Sequence, residues 1–252
     1  MIKIYYSATK QEAGVKAANS IASLLKTKPD AVLGLATGSS PTAMYDELAA
    51  MYERGEVSFK DVKSINLDEY IGLDASHEQS YAYFMKKNLF GRVDIDMNNT
   101  NLPNGLATDY ALECKRYNDL YDSLGGTDIQ VLGIGLNGHI GFNEPAESFT
   151  VGTNPVTLKE STIKANARFF ANEDEVPKMA FSMGIDQITK SSKIILLADG
   201  EAKAEILEKA LFGPVTPGVP ASVLQLMKSV EVYGDEKSLS LIKKNHPEAV
   251  IY

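Results

Sequence analysis

The sequence predicts an α/β fold: a single doubly wound, Rossmann-like domain over residues 1–252, with a mostly parallel sheet flanked by helices. Two observations carry this. Apolar runs of strand length alternate with amphipathic segments of helix length along most of the chain. The polar, glycine-bearing breaks then fall just after the apolar runs, where open α/β sheets place their ligands.

The elements follow in order. Ile2–Tyr6 reads as a strand and Gln11–Lys26 as a helix, with Ala18, Ile21 and Leu25 on one face. Ala31–Ala36 is a second apolar run, cut off by Thr37-Gly38-Ser39-Ser40-Pro41. Ser40 suits a helix N-cap and Pro41 a first helical turn, and Met44, Leu48 and Met51 continue that helix on one stripe. Val62–Leu67 is a third strand, ending at Asp68-Glu69-Tyr70. Ser80–Leu89 reads as helix and Gly91–Gly105 as a long polar connection. Residues 107–124 form a helix whose stripe includes Cys114, read as a packed core thiol.

An apolar run from Asp128 to Ile134 reads as a buried strand. It breaks into Gly135-Leu136-Asn137-Gly138-His139-Ile140-Gly141-Phe142-Asn143-Glu144-Pro145. Glu147–Asn172 shows no firm periodicity, and long irregular stretches inside compact domains are often lids; a lid is expected near residues 147–185. A helix restarts at Glu173-Asp174-Glu175, whose acids suit a positive helix end. Lys193–Ala198 is a strand, and Asp199-Gly200-Glu201 opens a helix through Leu211. Ser229–Tyr233 is a short strand, with a helix from Asp235 to about Lys244.

Composition narrows the function classes. Twenty-five Lys and Arg stand against 33 Asp and Glu, a net charge of −8. With no dense basic run, nucleic acid and anionic membranes are disfavoured partners. No apolar run reaches the roughly 18 residues that span a bilayer. The N-terminus reads as a strand rather than a signal peptide. A soluble, cytoplasmic protein is the expectation. One cysteine excludes an internal disulfide and a thiolate cage. No metal and no cofactor are expected.

Four candidate clusters fall at the ends of strands. Thr37, Gly38, Ser39 and Ser40 sit between a strand and a helix, where exposed amides and the helix dipole favour an anion; the Gly-Lys-Ser/Thr ending of a nucleotide P-loop is absent. The plain alternative is an ordinary capped turn. Asp68 and Glu69 follow a buried strand, where a carboxylate tuned by desolvation serves as a general base, or else merely shapes a loop. Gly133, Gly135 and Gly138 match a dinucleotide fingerprint, but no helix pattern follows them, so their better use is to bring His139 and Glu144 close to a substrate. Lys203 opposes the dipole of the helix it opens, a placement that a bound phosphate explains. Arg168 lies in the expected lid. His77 and His246 read as surface residues.

These stretches together resemble the glucosamine-6-phosphate deaminase/isomerase family. They are Leu35–Pro41, Asn66–Tyr70, Gly133–Pro145, Ala167–Phe170 and Pro220–Gln225, in family order over nearly the whole chain. The related 6-phosphogluconolactonases tend to have Asp-Glu-Arg where this chain has Asp68-Glu69-Tyr70. The resemblance implies conversion of glucosamine 6-phosphate and water to fructose 6-phosphate and ammonia. It implies that Asp68 moves the proton from C2 to C1, and that His139 assists ring opening with Asn137 and Glu144 around it. Thr37, Gly38, Ser39, Ser40, Arg168 and Lys203 would grip the phosphate. Two departures stand out. Many members have Asp where this chain has Asn137, and an amide orients but takes no proton. Activated hexameric members carry basic residues where Thr153-Asn154-Pro155-Val156 has none, so no such activation is expected, and a monomer or dimer rather than a hexamer. A sister lactonase or isomerase, a non-catalytic sugar-phosphate sensor and, distantly, a nicotinamide oxidoreductase are the competing readings.

Overall fold

A computed structural model describes the chain except residues 168, 169, 171, 173 and 174 and the side chains at 161, 165 and 166. Arg168 and residues 173 and 174 therefore lie outside the described residues; the helix expected to restart at Glu173-Asp174-Glu175 does not run on, since residues 175–178 form no α-helix and Met179–Ser182 is a strand.

The strands are β1 (Ile2–Ser7), β2 (Val32–Leu35), β3 (Lys63–Asn66), β4 (Asp68–Tyr70), β5 (Thr100–Asn101), β6 (Ile129–Gly133), β7 (Asn154–Thr157), β8 (Met179–Ser182), β9 (Lys193–Ala198), β10 (Val230–Asp235) and β11 (Val250–Ile251). The α-helices are α1 (Lys10–Thr27), α2 (Thr42–Glu53), α3 (Tyr81–Asn88), α4 (Tyr110–Ser123), α5 (Glu160–Asn166), α6 (Ile185–Thr189), α7 (Ala204–Phe212) and α8 (Ser240–Asn245). Among the described residues, an eight-stranded sheet runs β11-β1-β10-β9-β6-β2-β3-β5, and each neighbouring pair is parallel. This is the expected doubly wound α/β architecture. Ile65, Val131, Ile195 and Leu196 are fully buried in it. Removing such a side chain from water contributes roughly 1.5–3 kcal/mol.

The winding sets the position of the site. From β2 the chain proceeds outward through β3 to β5; from β6 it proceeds the other way through β9 and β10. The direction reverses between β2 and β6, and such a switch point opens a crevice at the carboxyl ends of the strands. Thr37–Ser40 follows β2 and Gly135–Glu144 follows β6, the two strands at that switch point.

A second sheet, antiparallel β4-β8-β7, was not expected. Leu67 joins the two sheets: its N–H donates to Leu35 at 3.1 Å, and its carbonyl accepts from Met183 at 2.8 Å. Asp68-Glu69-Tyr70 is thus a strand, not the start of a loop, with Asp68 paired to Ser182. The stretch 147–172, read from sequence as irregular, holds β7 and α5. Pro155 is tolerated in β7 because that strand is an edge. Tyr70, Phe142, Leu158, Ile163 and Val176 form a small core beneath this sheet, separate from the main one.

Three local expectations are corrected. Ser40 does not cap α2; Pro41 precedes it, with no side-chain cap, and the Thr42 hydroxyl donates back to the Ser39 carbonyl at 2.8 Å. The connection after Gly91 carries the short edge strand β5. The last helix begins at Ser240, after the Asp235 carboxylate has closed a turn on the Ser238 N–H at 2.8 Å. No helix among the described residues is long and apolar enough to cross a membrane.

Candidate active site

The loop after β6 is shaped around an imidazole. A Cβ on Gly135 would fall 2.3 Å from Nε2 and 2.2 Å from Cε1 of His139, so only glycine admits the ring. No helix follows Gly138, which removes the dinucleotide reading of these glycines. His139 Nδ1 lies 2.8 Å from Asn137 Oδ1 and 3.5 Å from Glu144 Oε1. The Asn137 amide NH₂ donates to Glu144 Oε2 at 2.6 Å, which fixes its oxygen toward the histidine. With two acceptors facing it, Nδ1 carries the proton, and Nε2 is the nitrogen left to exchange one.

Glu144 is held from two directions. Besides Asn137, the Thr162 hydroxyl on α5 donates to Oε1 at 2.9 Å, and Lys159 Nζ lies 3.7 Å from Oε2. Burial works against ionisation, but hydrogen bonding and charge attraction from His139, with the Asn137 and Thr162 bonds, outweigh it and pull the carboxyl down to about 2. Glu144 is therefore a fixed anion.

Asp68 is the opposite case. It is 7% exposed, and no side chain or backbone N–H among the described residues donates to its carboxylate. Burial, with the nearby charge of Glu69 added, pushes it up to about 8. Strand alternation turns Glu69 away, onto the start of α3. There it accepts from the Tyr70, Tyr81 and Ala82 N–H groups at 2.8, 2.9 and 2.9 Å. Burial still raises Glu69, to about 7, against those bonds.

Asp68 meets the histidine loop at Gly141. That residue has φ +56, and a Cβ there would lie 3.6 Å from Asp68 Oδ2 and 3.2 Å from Ser182 Oγ. Ser182 accepts from the Phe142 N–H at 3.0 Å, tying the loop to the strand that pairs with Asp68. Gly141 thus brings the loop that carries His139 against the carboxylate of Asp68.

Of the other expected residues, Thr37, Gly38, Ser39, Ser40 and Lys203 are described and follow strands of the large sheet. A Cβ on Gly133 would sit 3.8 Å from Ser40 Oγ, and Lys203 Nζ donates to the Ile134 carbonyl at 2.5 Å. Ser40 and Lys203 therefore approach the same end of β6. The N–H groups of Gly38, Ser39 and Ser40 make no backbone bond among the described residues, and stand beside Thr37 at the end of β2. Ser182, Thr162 and Lys159 were not singled out from sequence. Each is one polar residue in a stretch without a motif.

The chain is similar to known proteins in sequence and in fold. The family model for glucosamine-6-phosphate isomerases/6-phosphogluconolactonase matches residues 6–233. Glucosamine-6-phosphate deaminases of Clostridium perfringens (strain SM101) and Lachnoclostridium phytofermentans are each 50% identical over 92% of this chain, covering 96% and 98% of their own lengths. A solved monomeric glucosamine-6-phosphate deaminase, 46% identical, superposes with a TM-score of 0.92 over 95% of this chain and 99% of its own. The 6-phosphogluconolactonase of Thermotoga maritima, at 16% identity and TM-score 0.74 over 93% of this chain and all of its own, shares the fold alone. The chain belongs to the glucosamine-6-phosphate isomerase/6-phosphogluconolactonase family.

Proposed function

We propose that the protein is a glucosamine-6-phosphate deaminase, converting glucosamine 6-phosphate and water to fructose 6-phosphate and ammonia. The observation that carries this is a buried Asp68, with no donor among the described residues, set against the loop that carries an oriented His139. His139 Nε2 takes the proton of the ring O1 hydroxyl and returns one to O5, opening the ring. Glu144, through Asn137 and directly, supports the imidazolium that forms between these steps. Asp68 then removes the C2 proton and delivers it to C1, while a proton lost from the amino nitrogen passes to O1. This leaves an imine at C2, which water converts to the ketone with release of ammonia. One base serves two adjacent carbons, so it must be held without a competing donor, and among the described residues Asp68 has none.

The ligand-free carboxyl, at about 8, is mostly protonated at neutral pH. The substrate's ammonium, bound to the same carbon, favours the anion and readies the base on binding. The amides of Gly38, Ser39 and Ser40, with Thr37, Lys203 and Arg168, grip the phosphate. That remote binding energy orients C1 and C2. In this reading the chain is one domain whose lid lies near 147–185. It works in the cytoplasm, as a monomer or dimer, as a hydrolase of amino-sugar breakdown, and binds no nucleic acid.

A coupled assay for ammonia from glucosamine 6-phosphate tests the reading. Release by the wild type and its loss in D68N are expected. Lactone hydrolysis without ammonia release would replace the deaminase with the lactonase reading.

A further inference from the structure

The ring-opening histidine is oriented in part from outside its own loop. Glu144, which faces His139 Nδ1 at 3.5 Å and holds Asn137, has a carboxylate oxygen bonded at 2.9 Å by the Thr162 hydroxyl. Thr162 lies on α5, which follows β7 of the small sheet rather than any strand of the large one. We propose that Thr162 is a positioning residue for ring opening: by fixing Glu144 it sets the orientation of His139, so the site is complete only when α5 is docked. This rests on the deaminase reading.

Two features of the geometry favour Thr162 over its neighbour Lys159. The hydroxyl bond is short and directional, and a bond to a charged acceptor is among the stronger kinds. Lys159 is half-exposed, its ammonium stands 3.7 Å from the carboxylate, and it is shared with the Pro145 carbonyl at 3.4 Å; screened pairs of this kind contribute little. Thr162 also reaches Oε1, the oxygen nearer His139, while Asn137 holds Oε2. Without the hydroxyl, the carboxylate keeps one anchor and gains rotational freedom on the side that faces the imidazole.

The test compares T162V, which keeps the shape and removes the donor, with T162S, which keeps the donor. Ammonia release by the wild type establishes the underlying reading independently. T162V is then expected to lower kcat about tenfold. Binding of 2-amino-2-deoxyglucitol 6-phosphate, an open-chain mimic that needs no ring opening, stays within about twofold, and T162S restores kcat. In an E144Q background T162V costs nothing further, because its effect passes through that carboxylate. If T162V does not fold, T162A against T162S makes the same comparison. Unchanged kcat in the variant lacking the hydroxyl, an equal loss in T162S, equal loss of mimic binding, or full additivity with E144Q would each overturn the proposal.

Discussion

Two carboxylates, one on β4 and one in the loop after β6, meet opposite surroundings. Asp68, on the small sheet, is buried, has no hydrogen-bond donor among the described residues, and rises to about 8. Glu144, in the loop after β6, is surrounded by the amide of Asn137, the hydroxyl of Thr162 and the imidazole of His139, and falls to about 2. Pairs of acids driven apart in this way divide the labour of proton transfer. In the proposed mechanism the poised group moves protons, and the fixed anion orients and supports the histidine. A third carboxylate shows that enclosure alone is not chemistry. A cavity of about 820 Å³ opens at the opposite end of the strands, bordered by Tyr5, Ser20, Asp128, Lys193 and Glu231. There Glu231 is satisfied by Ser20 at 2.6 Å, Lys193 at 3.0 Å and Tyr233 at 3.0 Å.

The sharpest break of this contrast is D68N. It is expected to lower turnover by roughly a hundredfold or more while sugar-phosphate binding persists, read by ammonia release beside calorimetric titration. Next, E144Q keeps the shape but loses the fixed charge, and kcat should fall about tenfold or more. Measured at pH 7, an unchanged kcat would remove Glu144 from ring opening.

The pH dependence of stability separates the two acids by sign. Asp68 holds its proton more tightly folded than unfolded, since its pKa rises from 3.8 to about 8. Its contribution is full below about pH 4 and is lost as pH rises through 8. Glu144 moves from 4.5 to about 2, so its contribution is full above pH 4.5 and is lost as pH falls through 2. Thermal melts of D68N should therefore show a gain over wild type at pH 9 that vanishes at pH 4, and E144Q a loss at pH 7 that shrinks toward pH 2. The smallest effects are expected far from the crevice. E231Q should leave kcat/KM within about twofold, and N-acetylglucosamine 6-phosphate should leave the rate curve hyperbolic, because Asn154, Pro155 and Val156 offer no cation on β7.

The large sheet was legible because strands buried on both faces are written as unbroken apolar runs. Lys193–Ala198 was read with its observed bounds for that reason. The small sheet was not, because its strands carry little of that signal. β4 is Asp-Glu-Tyr, β7 contains a proline, and both are short. Their pairing is set by the tertiary contact at Leu67 and Met183, which no local pattern announces. The loop from Gly133 to Pro145 was singled out as a candidate site for its glycines, His139 and Glu144, and Asn137 was expected to orient the histidine by hydrogen bonding, as its 2.8 Å contact allows. Which way its amide is turned was not legible. That depends on the amide being turned by Glu144, seven residues on, a matter of rotamers rather than residue type.

The account stands most directly on the state of Asp68 in the ligand-free protein. Carbon-13 NMR titration of protein labelled at aspartate carboxyls, compared with D68N, measures it. One carboxyl titrating near 8, absent in D68N and lowered when an amine-bearing sugar phosphate binds, is the expected result. Aspartates that all titrate below pH 5 would contradict it, since the carboxylate at 68 would then be stabilised as an anion in the free protein.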